Sequence, residues 1–158
     1  MEVKDKIIVV TGGANGIGEG LCRRFAREGA KKVIVADVDE TRAKTVADEI
    51  SGVSVSCDVR KEKDIGRLVS DTEARFGAID LFCSNAGIIL IGDLDVKNED
   101  WQRIWEINVL SHVFVARAVI PGMIKRGGGS FMITASAAGL LSQIGSLPYS
   151  VTKHAAVG

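Results

Sequence analysis

Ile7-Ile8-Val9-Val10-Thr11-Gly12-Gly13-Ala14-Asn15-Gly16-Ile17-Gly18 opens on five β-branched residues and closes on a cluster of glycines. β-Branched side chains favour an extended strand. The glycines after it permit positive φ and let backbone N–H groups approach an anion closely. The segment Gly16–Glu28 that follows has helical periodicity, so an anion held by the turn would also face a helix N-terminus. Strand, glycine turn and helix in this order form the phosphate-holding start of a βαβ unit. The spacing is G-x-x-x-G-x-G, different from the G-x-G-x-x-G of the commonest dinucleotide motif. Gly12, Gly16 and Gly18, with Asn15 and Ile17 between them, are the candidate contacts to a dinucleotide.

Outward from this stretch the same alternation repeats. Further apolar runs occur at Lys32–Asp37, Val53–Cys57, Asp80–Ser84 and Ser130–Thr134. They are nearly continuous rather than alternating, as expected for strands covered on both faces of a parallel sheet. Helical periodicity covers Glu40–Ile50, Glu62–Phe76 and Glu99–Ile120, and a last helix begins near Pro148. Gly29 and Gly77 stand at helix ends, and Asn98 with Glu99 and Asp100 gives a capped, acidic helix start. Five strands with four intervening helices specify an α/β, doubly wound parallel sheet in a single domain, residues 1–158. A last helix still running at Gly158 leads to the expectation of a chain incomplete at its C-terminus.

Twenty basic and twenty acidic residues cancel, and neither sign forms a block. That balance argues against a nucleic-acid or anionic-membrane partner. Cys22, Cys57 and Cys83 form no C-x-x-C pair and sit in apolar stretches, which reads as buried thiols in a reducing compartment. Met1–Lys6 is charged and lacks the pattern of a signal peptide. Gly127–Thr152 is free of charge and long enough to span a bilayer, but its Gly, Ser, Thr and Pro make poor membrane helix. The expectation is a soluble, cytoplasmic protein. No His, Cys or carboxylate cluster has metal-ligand spacing, so no metal is expected.

Asp37 ends the second strand, 19 residues after Gly18. A carboxylate there accepts hydrogen bonds from the adenosine ribose hydroxyls and repels a 2′-phosphate. The alternative is an ordinary helix N-cap, because Asp39 and Glu40 follow. Neither Asn15 nor Val38 offers a cation to a 2′-phosphate, which also favours NAD over NADP. Asp58, after the third strand, reads on spacing alone as a cap.

Tyr149 and Lys153 are four apart on one helix face. A free tyrosine, with a pKa of about 10, is a poor base at neutrality, and an adjacent ammonium favours its phenolate. The pair can thus serve as a tuned acid and base. Ser136 lies just past the fifth strand, where its hydroxyl could bind a substrate oxygen. Asn108 falls on the apolar stripe of its helix, in step with Trp101, Ile104, Trp105 and His112, and a buried amide needs partners. His112 and His154 read as incidental.

Taken together, these residues resemble the short-chain dehydrogenase/reductase family along the whole chain. Gly12, Gly16 and Gly18 match its cofactor glycines, Asp37 its NAD-selecting acid, and Asp58-Val59 its adenine contact. Asn85-Ala86-Gly87 matches the turn beside the nicotinamide ribose. Asn108, Ser136, Tyr149 and Lys153 match its catalytic tetrad. The resemblance implies a Rossmann-like sheet of order 3-2-1-4-5 with its last strands missing, since family members are longer. It implies an NAD-dependent oxidoreductase acting on a secondary alcohol or ketone, and a homodimer or homotetramer. Ser136 would hold the substrate oxygen and Tyr149 would exchange the proton. Lys153 would tune Tyr149 and bind the ribose, and Asn108 would position a water that passes protons on from Lys153. Gly127–Thr152 would be a buried strand and a wall of the site. Ile88–Ile91 and Leu140–Ser146 could line an apolar substrate pocket. A dinucleotide sensor without turnover and an inactive fragment stay open as other readings.

Overall fold

The computed structural model describes residues 2–158. The apolar runs form five parallel strands: β1 (Ile7–Thr11), β2 (Lys32–Asp37), β3 (Val53–Ser56), β4 (Leu81–Ser84) and β5 (Ser130–Ile133). They make one sheet in the order β3-β2-β1-β4-β5. Cys57, Asp80 and Thr134, expected as strand ends, fall outside the strands. Each still donates its backbone N–H to the neighbouring strand, to Asp37 O, Ile7 O and Ser84 O.

Alternate residues of a strand face opposite sides, and here they build two separate cores. Ile8, Val10, Val33, Val35, Leu81 and Cys83 pack with Cys22 and Phe25 of α1 (Gly16–Arg27) and Ala43, Val46 and Ala47 of α2 (Glu40–Glu49). Ile7, Val9, Ile34 and Phe82 pack on the other side, with Ile65, Leu68 and Val69 of α3 (Glu62–Phe76). Val115, Val119 and Met123 of α5 (Ser111–Lys125) complete that core. β1 and β4 are buried along their whole length, whereas β3 and β5 are half-buried. The expectation of strands covered on both faces is corrected for those two, because each forms an edge of the sheet. Cys22, Cys57 and Cys83 are free and buried, and burial pushes each thiol up to about 12.

α4 (Asn98–Trp105) continues through a π-helical turn, Glu106–Leu110, into α5. The π-turn holds one residue more than an α-turn. Buried Ile104, Asn108 and His112, spaced by fours, therefore stay on one face. The expected cap at Asn98 is corrected: the N-cap position is Lys97, and Asn98 lies inside the helix. By length and composition an 18-residue window of the continuous helix Asn98–Lys125, with mean hydropathy 1.6, is apolar enough to cross a membrane. Its Val115, Val119 and Met123 lie in the core against the sheet.

After β5 comes a 3-10 turn, Ala137–Gly139, and then α6 (Leu147–Val157). Successive strands step outward from β1 in one direction and then, from β4, in the other. That reversal opens a crevice beyond the C-terminal ends of β1 and β4, where open α/β sheets place their ligands.

Candidate active site

A cleft of about 860 Å³ occupies this crevice. Its floor is the turn after β1. Gly12 has φ +65, and a Cβ built there would lie 2.8 Å from Ala86 Cα. A Cβ at Gly18 would fall against the Gly12 carbonyl and 2.6 Å from Asn85 Nδ2. Gly16 has φ +55, with open space where a Cβ would be. Two glycines thus let the turn, α1 and the β4 end pack closely, and the third leaves the cleft clear. The first-turn N–H groups of α1 have no carbonyl partner within the helix. Together with the helix dipole they suit a phosphate.

Asp37 is not a helix cap. Its Oδ2 accepts from Ala14 N at 3.0 Å and its Oδ1 from Asp39 N at 3.0 Å. The N-cap of α2 is Asp39, which accepts from Arg42 N. Asp37 is therefore tied to the glycine turn and presented at the cleft wall beside Val38. Asp58 also departs from the cap reading, since Lys61 holds the N-cap position of α3. Instead Asp58 accepts from Arg60 Nε at 3.0 Å and Arg60 Nη2 at 2.8 Å. The Arg60 guanidinium holds its carboxyl below the usual carboxylate range. Arg60 and Arg103 also line the cleft, and Arg103 pairs with Asp100. Both cleft arginines are thus engaged by aspartates of their own.

On the NAD-dependent reading that the sequence resemblance implies, exchanging Asp37 for Ser is expected to move the NAD/NADP ratio of kcat/KM by about tenfold or more toward NADP, equivalent to ~1.4 kcal/mol. Steady-state kinetics with both dinucleotides measures it. An unchanged ratio would reduce Asp37 to a brace for the glycine turn.

The catalytic candidates converge from three elements. Ser136 precedes the 3-10 turn and accepts from Ala138 N at 3.1 Å, which fixes its hydroxyl at the cleft. Tyr149 and Lys153 come from α6, with Lys153 Nζ 5.8 Å from the tyrosine ring centre. Lys153 is only 3% exposed, and burial lowers its pKa from the ordinary 10.5. Asn108 does not line the cleft. It lies behind it, fully buried, where the π-turn presents its amide to the loop after β4. Its Oδ1 accepts from Ile88 N and its Nδ2 donates to Ile88 O, both at 2.9 Å. Nδ2 also faces Thr152 Oγ1 at 3.2 Å. Gly87 lies between them, where a Cβ would be 3.4 Å from Asn108 Oδ1 and 3.6 Å from Lys153 Nζ, in ordinary contact with both.

Every other expected site residue lines the cleft: Gly12, Asn15, Gly16, Ile17, Gly18, Asp37, Asp58, Val59, Asn85, Ala86, Gly87, Ser136, Tyr149 and Lys153. The sequence reading missed Arg60, Arg103, Ile107 and Thr134. Arg103 and Ile107 come from the helix that carries Asn108, and only its docking on the sheet reveals them. Of the expected apolar walls, Ile88 and Ile89 reach the cleft, while Leu140, Leu141 and Ile144 are exposed.

His112 does not line the cleft. It is buried and shares a 2.7 Å hydrogen bond with Ser84 Oγ through Nδ1. Its Nε2 has no hydrogen-bond partner among the described residues. Burial, and secondarily the charge of Lys153, lowers its pKa from 6.5 to about 4. The unfolded chain then takes up this proton first, so His112 costs stability as pH falls from 6.5 toward about 4. The drop in Tm between neutrality and about pH 5 is expected to be smaller in His112→Gln than in the parent. Equal drops would show that other groups set the acid sensitivity.

Comparison with known proteins agrees with this geometry. A family model described as short chain dehydrogenase matches residues 6–158. Dehydrogenase/reductase SDR family member 4 of Oryctolagus cuniculus is 39% identical over 98% of this chain and 62% of its own length. A mitochondrial borneol dehydrogenase of Lavandula x intermedia is 32% identical over 99% of this chain and 61% of its own. A crystal structure of a short chain dehydrogenase/reductase from Burkholderia phymatum in complex with NAD superposes with TM-score 0.96 at 29% identity. The match covers 99% of this chain and 58% of that one. The chain thus spans about three fifths of the length of the curated relatives it matches.

Proposed function

The chain belongs to the short-chain dehydrogenase family, and from that premise we propose that the protein is an NAD-dependent oxidoreductase interconverting a secondary alcohol and a ketone. The observation that carries the reading is a single cleft lined at once by the glycine turn, by Asp37, and by Ser136, Tyr149 and Lys153. A phosphate-holding turn and a proton-exchanging pair have reason to share a cleft when a dinucleotide and its substrate meet there.

NAD, when bound, supplies the hydride-transfer chemistry. The turn from Gly12 to Gly18 and the N-terminus of α1 would hold its pyrophosphate. Asp37 would accept from the adenosine ribose, and Asp58-Val59 would border the adenine. Asn85-Ala86-Gly87 and Lys153 would flank the nicotinamide ribose.

On the substrate side, Ser136 Oγ would hold the reacting oxygen. Tyr149 would take its proton on oxidation and return it on reduction. Lys153, buried beside the tyrosine ring, places a positive charge where the proton leaves. Asn108 secures the loop carrying Ile88 and, through Thr152, the helix carrying Lys153. In this reading it stands behind the route by which protons pass from Lys153 to solvent. Orientation and electrostatics are the protein's contribution. The proposal includes a homodimer or homotetramer, and a cytoplasmic setting that suits three free, buried thiols.

The test is absorbance at the NADH band, with NAD and NADP, over a panel of secondary alcohols. Turnover with NAD is the expected result. Dinucleotide binding without turnover on any alcohol or ketone would favour the sensor reading instead.

A further inference from the structure

We propose that Thr134 is a positioning residue of this site, joining Lys153 to the glycine turn through one residue of the β5 end. The inference rests on the oxidoreductase reading and adds to it a residue outside the four catalytic candidates. Thr134 uses three separate groups. Its backbone N–H donates to Ser84 O at 3.1 Å, which holds it to β4. Its carbonyl accepts from Lys153 Nζ at 2.8 Å. Its hydroxyl donates to Asn85 Oδ1 at 2.9 Å.

The direction of these bonds is fixed by chemistry. Asn85 Nδ2 donates to Thr11 O at 3.0 Å and to Gly12 O at 3.3 Å. Both partners are carbonyls, so the amide cannot be flipped, and Oδ1 must face Thr134. An amide oxygen only accepts, so the threonine hydroxyl must donate. The result is an unbroken path: Lys153 Nζ, Thr134, Asn85, Gly12. Valine fits the same space but cannot complete it, and serine can.

Two consequences follow for a buried ammonium and a phosphate turn. Without the hydroxyl, the Thr134 carbonyl loses its lateral anchor and holds the Lys153 ammonium less well. Lys153 then gives up its proton at lower pH. Its titratable neighbours are Tyr149 on its own helix and His112 from α5. At the other end Asn85 Oδ1 is left bare, and the carbonyls of Thr11 and Gly12 are held less firmly.

The test compares Thr134→Val, Thr134→Ala and Thr134→Ser with the parent. The Val and Ala variants are expected to lose on the order of tenfold in kcat. They should raise KM for NAD and move the basic limb of the kcat–pH profile to lower pH. Thr134→Ser is expected to restore most of the rate and the parental profile. An active parent with a Val variant unchanged in profile and in NAD affinity would overturn this inference alone. So would Val and Ala variants that fail to fold while Ser folds, which would make the role purely structural. A parent without turnover on any alcohol counts against the reading of function. The tie is then read by calorimetric titration with NAD, where Val should bind more weakly than Ser and equal affinities overturn it. A parent that binds no dinucleotide overturns both.

Discussion

Tyr149→Phe is expected to lower kcat by ~10²–10⁴-fold while leaving NAD affinity close to that of the parent. The substitution removes one oxygen and keeps the ring, so the packing at the start of α6 is preserved. Tyr149 is half-buried, and Pro148 and Ser150 on either side of it are buried. They fix where the ring leaves the helix. What disappears is the group that can exchange a proton with the substrate oxygen. Ser136 retains its hydroxyl, but its Oγ accepts from Ala138 N and no base stands in hydrogen bond with it among the described residues. Neither does Lys153 stand in the phenol's place, because its Nζ lies 5.8 Å from the tyrosine ring centre and donates to Thr134 O. Steady-state kinetics and calorimetric NAD titration of the same preparation measure both parts. A variant that keeps most of its kcat would remove Tyr149 from the chemistry.

The second large effect is expected at Gly18. A methyl there would meet the Gly12 carbonyl and lie 2.6 Å from Asn85 Nδ2. The first is backbone, and the second is held by two carbonyls, so neither yields by changing rotamer. Either α1 shifts away from the turn or the turn moves into the cleft. Overpacking of this kind costs roughly 1–3 kcal/mol. Gly18→Ala should therefore lower Tm by several degrees and weaken NAD binding by about tenfold or more. Gly20, two residues further on, supplies the control. It lies in the same helix, with no positive φ and nothing within 4 Å of where a methyl group would stand. Gly20→Ala should be neutral or stabilising by about 0.5–1 kcal/mol. Equal behaviour of the two variants in thermal unfolding and NAD titration would mean that close approach at Gly18 is unimportant.

The strands were legible because a parallel sheet demands unbroken apolar runs, and Ile7–Thr11 or Lys32–Ala36 can hardly be read otherwise. The glycine turn was legible for a similar reason, since few other uses exist for three glycines between such a strand and a helix. Ambiguity arose at the aspartates. From spacing alone Asp37 and Asp39 compete for one capping site, and only the bonds from Ala14 N and Arg42 N separate them. Asp58 looked like a cap because its partner, Arg60, is a flexible side chain whose direction sequence does not encode. Thr134 was invisible for a deeper reason. Its three bonds reach Ser84, Asn85 and Lys153, none of them a near neighbour in the chain. Threonine at a strand end has no local pattern that announces such partners. The bond between His112 and Ser84 was hidden for the same reason, since the two come from different elements.

The π-turn at Glu106–Leu110 has a consequence for how this protein can vary. Each residue added to or removed from a helix rotates everything beyond it by about 100°. The surplus residue in this turn is what brings Asn108 to the loop after β4 and still leaves Val115, Val119 and Met123 against the sheet. Losing it would let the helix relax to regular geometry, at the expense of turning one half away from its seat. What the fold fixes across 106–110 is therefore the number of residues, beyond the identity of any one of them. The site is thereby guarded by a length, a form of constraint that no single side chain in the segment reveals.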